Sequence, residues 1–320
     1  MTSRCDRRTF LARALLGGFT ALAANCGPGR AFAQTLESPR TRMTAGEFSA
    51  TARGAALNRA VHQIIDYPRV LDDPFALPIL GPLRPGELQA AVDRQSPALR
   101  ASIALRSRYA EDRLAAAVAR DVRQYVILGA GLDTFAYRNP HRDSGLHVFE
   151  VDHPATQRFK RERVQTAGIA VPPQTTFVPI DFETQTLSRE LAVHGFRFDE
   201  PAFFSLLGVV IYLTDAAVME TMRSVASCAS GSEIVFSFSV PDSLLSERQR
   251  LSRERSMMRV AALGEPWISF YDPPVLARTL RARGFGSTEL FGPEDANRTY
   301  FADRLDGLRM SAGHMMSARI

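Results

Sequence analysis

Two glycines and one aspartate form the pattern in this chain that is best suited to holding a nucleotide-like ligand. Gly129 and Gly131 directly follow the apolar run 125–128, which predicts a buried strand that ends in a tight turn. A second predicted strand, 147–152, ends in Asp152. Asp152 follows the turn by about 20 residues, where a nucleotide-binding βαβ unit places the carboxylate for the ribose hydroxyls. The spacing therefore predicts a ligand that carries a ribose.

The turn departs from the dinucleotide fingerprint. The third glycine of Gly-x-Gly-x-x-Gly is replaced by Thr134. Because no pyrophosphate has to be cradled, the relaxed turn suits an adenosine ligand without a diphosphate, such as S-adenosylmethionine. A lone Gly-x-Gly is also common as a plain tight turn, and this structural alternative stays open at this point.

Strands and helices alternate after the turn, which predicts an α/β fold with a parallel sheet and helices on both faces. Ligands of such sheets bind at the carboxyl ends of the strands. The predicted strands are 125–128, 147–152, 176–181, 202–209, 233–240, 287–291 and 314–320. The proline in the third strand favours an edge position. The predicted helices are 51–65, 97–120, 154–168, 184–194, 214–227, 244–263 and 273–283.

Residues 1–33 have the pattern of an export signal. A basic start precedes an apolar stretch that is too short to span a membrane, and residues 31–33 read Ala-Phe-Ala. Residues 6–11, Asp-Arg-Arg-Thr-Phe-Leu, resemble a twin-arginine signal. The signal predicts a periplasmic or secreted protein with a linker at 34–43. The alternative is a true start at Met43 and a cytoplasmic protein.

Charge argues against a nucleic-acid partner, and cysteine content argues against a disulfide or a cysteine-based metal site. The chain has 39 basic and 34 acidic side chains, and removing the five arginines and one aspartate of residues 1–33 leaves 34 and 33. This balance gives no reason to expect a nucleic-acid partner. Of three cysteines only Cys228 lies beyond the signal, which excludes an internal disulfide and a cysteine-based metal site. No membrane span is predicted once the signal is removed.

Taken together, several short motifs resemble the leucine carboxyl methyltransferase family, and more closely its bacterial S-adenosylmethionine-dependent methyltransferase branch. The motifs are DDP at 72–74, LGAGLDT at 128–134, YR at 137–138, FEVDHP at 149–154, IDF at 180–182, LGVVIYL at 207–213 and GEPW at 264–267. The resemblance implies a Rossmann-like class I methyltransferase fold over 44–320, with a mostly parallel seven-stranded sheet. It also implies an N-terminal helical cap at 44–120 and a sheet core at 121–320.

The resemblance implies roles for single residues around S-adenosylmethionine. The matching positions are Gly129, Ala130 and Gly131 beneath the methionine part, Asp152 at the ribose, Asp181 and Phe182 at the adenine, Arg106 at the carboxylate, and Leu207 at the end of the fourth strand. Arg108 is the second candidate for the arginine. Leu207 stands where the protein-phosphatase methyltransferases carry a glutamate, so their acceptor, a protein C-terminal leucine, is not carried over.

Methyl transfer from a sulfonium is an in-line displacement, in which the protein holds nucleophile, methyl and sulfur in line and excludes water. A carboxylate nucleophile needs no base, whereas a hydroxyl profits from one. The predicted catalytic residues are Tyr212, after the fourth strand, and His153, after the second. Packing is the alternative role for Tyr212, and helix capping is the alternative for His153. Trp267, Phe270 and Tyr271 are candidates for the wall of the acceptor site.

These patterns predict an S-adenosylmethionine-dependent O-methyltransferase that acts on a carboxylate or hydroxyl of a small-molecule acceptor. Two alternatives stay open: an NAD(P)-type oxidoreductase, and an exported cofactor-binding protein without catalysis. The missing third glycine argues against the common short-chain oxidoreductases. So does the missing Tyr-x-x-x-Lys pair, since Lys160 is the single lysine. The export signal favours the second alternative, because the cofactor is made in the cytoplasm.

Overall fold

The computed structural model describes residues 48–94, 96–181 and 184–320. The described residues belong to one compact unit. The predicted signal at 1–33, the predicted linker at 34–43 and Phe182 lie outside the described residues, so they stay predictions.

Strands and helices alternate in the described chain as the sequence predicts. The helices are α1 (Ala50–Ile65), α2 (Glu87–Arg94), α3 (Pro97–Ala119), α4 (Phe135–Arg138), α5 (Pro154–Thr166), α6 (Leu187–Val193), α7 (Asp215–Ala226), α8 (Glu247–Ala261), α9 (Pro273–Arg281) and α10 (Pro293–Tyr300). The strands are β1 (Gln124–Leu128), β2 (His147–Asp152), β3 (Thr175–Pro179), β4 (Ala202–Leu206), β5 (Glu233–Phe238), β6 (Ser287–Phe291) and β7 (His314–Arg319). The sequence pattern does not predict α2 and α10, because helices this short give too few turns for a hydrophobic period.

The seven strands form one sheet in the order β3-β2-β1-β4-β5-β7-β6. β1 pairs in parallel with both β2 and β4, and β7 is antiparallel to both of its neighbours. This arrangement confirms the mostly parallel seven-stranded sheet, and β3 lies at an edge as its proline predicts. The strand order reverses between β1 and β4, so a crevice is expected at the carboxyl ends of these two strands.

The two faces of the sheet carry separate apolar cores. Along β1, Tyr125 and Ile127 face a core shared with α1, α3 and α5, whereas Val126 and Leu128 face a core shared with α6, α7 and α9. Helices therefore cover both faces, as predicted. α3, which belongs to the predicted cap at 44–120, packs its apolar side on the first face.

Two strands that lead into the candidate site, β3 and β4, end earlier than the sequence predicts. β4 ends at Leu206, and Gly208 then takes a left-handed φ of +73°, which turns the chain away from the sheet. β3 ends at Pro179, and one further hydrogen bond, from the N–H of Ile180 to Asp152, joins it to β2. Leu207 and Asp181 consequently lie in loops just beyond the strand ends.

Candidate functional site

The turn after β1 requires glycine because its backbone is left-handed at two positions. Gly129 has a φ of +69° and Gly131 a φ of +47°. The N–H groups of Gly129 and Ala130 donate to the carbonyl oxygen of Val151 at 2.8 and 3.0 Å, which holds the turn against β2. A Cβ on Gly129 would also overlap Cγ2 of Val209. Conformation and packing together therefore fix the shape of this turn.

Asp152, at the end of β2, faces the glycine turn. Its carboxylate accepts hydrogen bonds from the backbone N–H groups of Gly131 and His153, the latter at 2.6 Å. Burial raises the pKa of Asp152 above its ordinary value, although these two hydrogen bonds oppose the rise. A carboxylate offers about four acceptor positions. Two such positions are therefore available for the hydroxyl groups of a ribose.

His153 is the N-cap residue of α5, and Pro154 occupies the first helical position. Nδ1 of the imidazole accepts a hydrogen bond from the N–H of Ala155 at 3.3 Å. A neutral imidazole has a single acceptor nitrogen. This geometry matches helix capping, which is the alternative role of His153. The lone pair that a general base needs is already used in the cap.

Arg106 extends from α3 to the end of β4. Its guanidinium group lies directly against Gly208, where a side chain on that residue would overlap it. Within the described ranges, no hydrogen bond or salt bridge engages this guanidinium. Burial lowers the pKa of Arg106 from 12.5 to about 10, and the nearby cation of Arg59 acts in the same direction. Arg106 is thus a cation at neutral pH, held where an anionic ligand group can pair with it.

Arg108, the second candidate for this role, lies elsewhere. Its side chain is exposed, and Nε donates to the carboxylate oxygens of Asp112 at 2.9 and 3.0 Å. Residues two positions apart on a helix face different directions. The packing of α3 on the sheet therefore selects Arg106 over Arg108 for the crevice.

A buried polar network, which the sequence did not predict, supports the turn from behind. Asp73 accepts a hydrogen bond from Oγ1 of Thr134 at 2.7 Å and lies 3.3 Å from Nε of Arg59. Arg59 in turn donates to the carbonyl oxygen of Leu132. The side chain of Asp73 also accepts from the N–H of Phe75 at 3.1 Å and closes a short turn. The DDP motif was the available signal for this residue.

The predicted adenine side of the site is formed by the loop after β3. The N–H of Ile180 donates to the carbonyl oxygen of Asp152 at 2.9 Å, which places Asp181 next to the end of β2. The carbonyl oxygen of Asp181 accepts from the N–H groups of Thr184 and Gln185, so a tight turn follows. Asp152 and Asp181 are therefore neighbours at the carboxyl ends of β2 and β3, where the sequence places both residues.

The predicted acceptor side lies beyond β4. Leu207 is half-buried. Tyr212 ends a short 3-10 turn, Val210–Tyr212, and lies near the guanidinium of Arg106. The N–H of Ile268 donates to the carbonyl oxygen of Ile211 at 2.8 Å and brings the 264–269 loop against this turn. These contacts place the predicted aromatic wall beside the predicted catalytic tyrosine.

The three aromatic candidates of that wall have different surroundings. Phe270 lies under the guanidinium of Arg253, 4.8 Å from the ring centroid. The hydroxyl of Tyr271 donates to Asp215 at 3.1 Å, at the start of α7. In the described part of the chain, the buried Nε1 of Trp267 has no hydrogen-bond partner. Trp267 is therefore the aromatic candidate whose N–H can donate a hydrogen bond to a ligand.

Residues 48–94, 96–181 and 184–320 contain neither a metal-binding cluster nor a membrane-spanning helix. No group of three or more His, Cys, Asp or Glu side chains there could hold a metal ion. No helix in these ranges is long and apolar enough to cross a membrane.

The crevice matches a ligand that has a free carboxylate at one end and a ribose near the other. Arg106 supplies the cation for the first, and Asp152 supplies acceptors for the second. The left-handed glycine turn lies beside Asp152, which accepts a hydrogen bond from the N–H of Gly131. On a sheet whose last strand is antiparallel, this combination defines the class of Rossmann-like, S-adenosylmethionine-dependent methyltransferases.

Sequence comparison places the chain within this class. The leucine carboxyl methyltransferase family model matches residues 52–226, which is more than half of the chain. The chain therefore belongs to the leucine carboxyl methyltransferase family. This result confirms the resemblance drawn from the short motifs, and S-adenosylmethionine as the cofactor.

Relatives and solved structures agree with the assignment. The chain is 38% identical over 208 residues to a Bacillus subtilis protein named "Putative S-adenosyl-L-methionine-dependent methyltransferase YktD", covering 63% of this chain and 67% of that one. A Mycobacterium marinum protein described in the same words is 34% identical over 226 residues, covering 66% and 73%. A crystal structure of a DUF574 family protein from Streptomyces avermitilis matches with a TM-score of 0.51 at 19% identity, covering 83% and 96%. This last similarity shows the fold alone.

Proposed function

We propose that this methyltransferase transfers the methyl group to an oxygen atom of a small-molecule acceptor, either a carboxylate or a hydroxyl. The observation that carries the proposal is the engagement of His153 in the cap of α5. With its lone pair used there, the imidazole predicted as base is not available. An ionised carboxylate is already nucleophilic and needs no base, and an acidic hydroxyl needs little help.

The described residues fit S-adenosylmethionine at three points. Arg106 would pair with the carboxylate of the methionine part, Asp152 would accept from the ribose hydroxyls, and the loop at Asp181 would flank the adenine. When bound, the cofactor supplies an electrophilic methyl group on a sulfonium. The protein's share of catalysis is then to orient the acceptor and to exclude water.

Tyr212 is the residue we propose for orienting the acceptor. It follows β4 on the side of the crevice where Arg106 lies, and the neighbouring 264–269 loop adds the indole N–H of Trp267. A phenol and an indole N–H can each donate a hydrogen bond to an acceptor oxygen. Leu207 places an apolar side chain, and not a carboxylate, at its position after β4, which suits an anionic acceptor.

Binding and transfer assays on the purified protein test the proposal. Titration calorimetry should show binding of S-adenosylmethionine and of its demethylated product, and no binding of NAD. Labelled S-adenosylmethionine should then methylate members of a panel of small carboxylic acids and phenols. Binding of NAD in place of S-adenosylmethionine would support the oxidoreductase alternative. Tight cofactor binding without transfer across a broad panel would favour the non-catalytic binding protein.

We also propose, from the sequence alone, that residues 1–33 direct export. Replacing both arginines of the Asp-Arg-Arg pattern by lysine should trap the precursor inside the cell if the route is the twin-arginine one. N-terminal sequencing should find a mature start at Gln34 in the periplasm or medium. A cytoplasmic protein that begins at Met1 or Met43 would contradict export and leave the methyltransferase assignment untouched.

A further inference from the structure

The first described residues, 48–52, form a segment that we call the strap. At one end the strap is fixed to α5. The rings of Phe48 and Phe159 stack with centroids 3.8 Å apart, and the N–H of Ser49 donates to Oγ1 of Thr156 at 3.4 Å. Because α5 directly follows β2, this end of the strap is anchored on the β2 side of the crevice.

From Ser49 to Thr51 the strap is also held by the carboxylate of Glu265. Oε1 accepts from the N–H of Ala50 at 2.9 Å, and Oε2 accepts from the hydroxyl of Ser49 at 3.1 Å. The hydroxyl of Thr51 donates to the same Oε2. Three donors of the strap thus converge on one side chain, which lies more than 200 residues away in the sequence.

Glu265 ties the strap to the β4 side of the site. The 264–269 loop is bonded to Ile211, which follows β4, so this anchor lies on the β4 side. β1 lies between β2 and β4 in the sheet. A Cβ added to Gly131 would come within 3.2 Å of Cβ of Ala52. The strap therefore passes over the glycine turn at the end of β1.

The strap depends on Glu265 for a physical reason. The first N–H groups of a helix have no partner within the helix, and the N-terminal end of a helix favours a negative charge. In α1 the hydroxyl of Ser49 accepts from the N–H of Ala52 at 3.1 Å, and Glu265 accepts from the N–H of Ala50. Loss of the carboxylate leaves Ala50 without its partner.

We propose that Glu265 is a positioning residue that holds the strap closed over the cofactor, and that product release requires its hydrogen bonds to the strap to break. This inference rests on the proposed methyltransferase function. Closure of the strap excludes water from the methyl donor and slows the escape of the demethylated product. Glu265 acts through the strap, at residues 49–51, and not by contact with the reacting atoms.

The test compares Glu265→Ala, Glu265→Gln and a control, Glu87→Ala, in the full-length chain. Glu87 also anchors α1, through Arg53 at 2.6 Å, but it links α1 to α2. Hydrogen exchange of the Ala50 amide reports the strap without any ligand. Stopped-flow displacement of bound S-adenosylhomocysteine reports its release rate.

In Glu265→Ala we expect the Ala50 amide to exchange at least tenfold faster and the product to leave at least tenfold faster. Glu265→Gln keeps an acceptor for that amide and should restore most of the slow release. The control should exchange faster in α2 and release product within about twofold of the wild-type rate.

Two results would overturn the inference alone: unchanged Ala50 exchange in Glu265→Ala, or faster exchange with an unchanged release rate. A wild-type protein that binds neither S-adenosylmethionine nor S-adenosylhomocysteine would instead overturn the proposed function, and the inference with it.

Discussion

Arg106 is the residue whose replacement should separate cofactor binding from stability most clearly. We predict that Arg106→Met weakens S-adenosylmethionine binding and at the same time leaves the unliganded protein as stable or more stable. The side chain is a cation with no described hydrogen bond or salt bridge, so its removal costs the folded protein no such contact. Methionine fills similar space without a charge.

The magnitudes follow from the pKa and from the lost ion pair. A pKa of about 10 in place of 12.5 corresponds to roughly 3 kcal/mol against the folded state, at about 1.4 kcal/mol per unit. Partial exposure of the side chain reduces this to about 1 to 2 kcal/mol of expected stabilisation. A charge-assisted hydrogen bond to the ligand carboxylate contributes about 1.5 to 3 kcal/mol. Its loss should weaken binding roughly tenfold to a hundredfold.

Arg108→Met is the matched control, because Arg108 lies on the same helix but is exposed and paired with Asp112. Its replacement should change neither binding nor stability by more than about 0.5 kcal/mol. Calorimetric titration gives the affinities, and urea denaturation of the unliganded proteins gives the free energies of unfolding. The reasoning is refuted if Arg106→Met binds normally, or if the loss of affinity appears in Arg108→Met instead.

Three further predictions concern the turn and the stability of the fold. Asp152→Ala should weaken S-adenosylmethionine binding at least tenfold in calorimetry, and normal affinity would reject the ribose role. The same change should lower the free energy of unfolding by about 1 to 3 kcal/mol, because two backbone N–H groups lose their acceptor. Gly131→Ala should destabilise the protein more than Gly145→Ala in denaturation, since both are left-handed but only the first would press on the strap; equal losses would mean that the strap yields. Burial alone would raise the pKa of Asp66. Hydrogen bonds, chiefly the one from Arg100, outweigh burial and lower this pKa. The stabilisation of the fold by ionised Asp66 is therefore present at a pH above its ordinary pKa of 3.8, and it is lost as the pH falls below that value. Asp66→Asn should cost about 3 kcal/mol at pH 7 and flatten the acid limb of a stability profile, and an unchanged limb would contradict this.

Much of the fold is readable from local sequence. The run 125–128 is apolar throughout because β1 is covered on both faces, and such runs predict central parallel strands. Gly129 and Gly131 mark the turn because left-handed backbone excludes most other residues. Asp152 is predicted because a βαβ unit fixes the distance along the chain between the turn and the next strand end. These features depend on neighbours in sequence, or on one supersecondary unit.

The roles of other residues required the tertiary structure, because their partners are distant in sequence. Arg106 and Arg108 differ by two positions, and only the packing of α3 on the sheet decides which one reaches the crevice. His153 offers two roles in the sequence, and the start of α5 makes it a cap. Glu265 belonged to a recognised motif, but its bonds to Ser49 and Thr51 depend on a helix encoded more than 200 residues earlier. Local pattern fixes backbone conformation, whereas long-range packing decides which side chains meet.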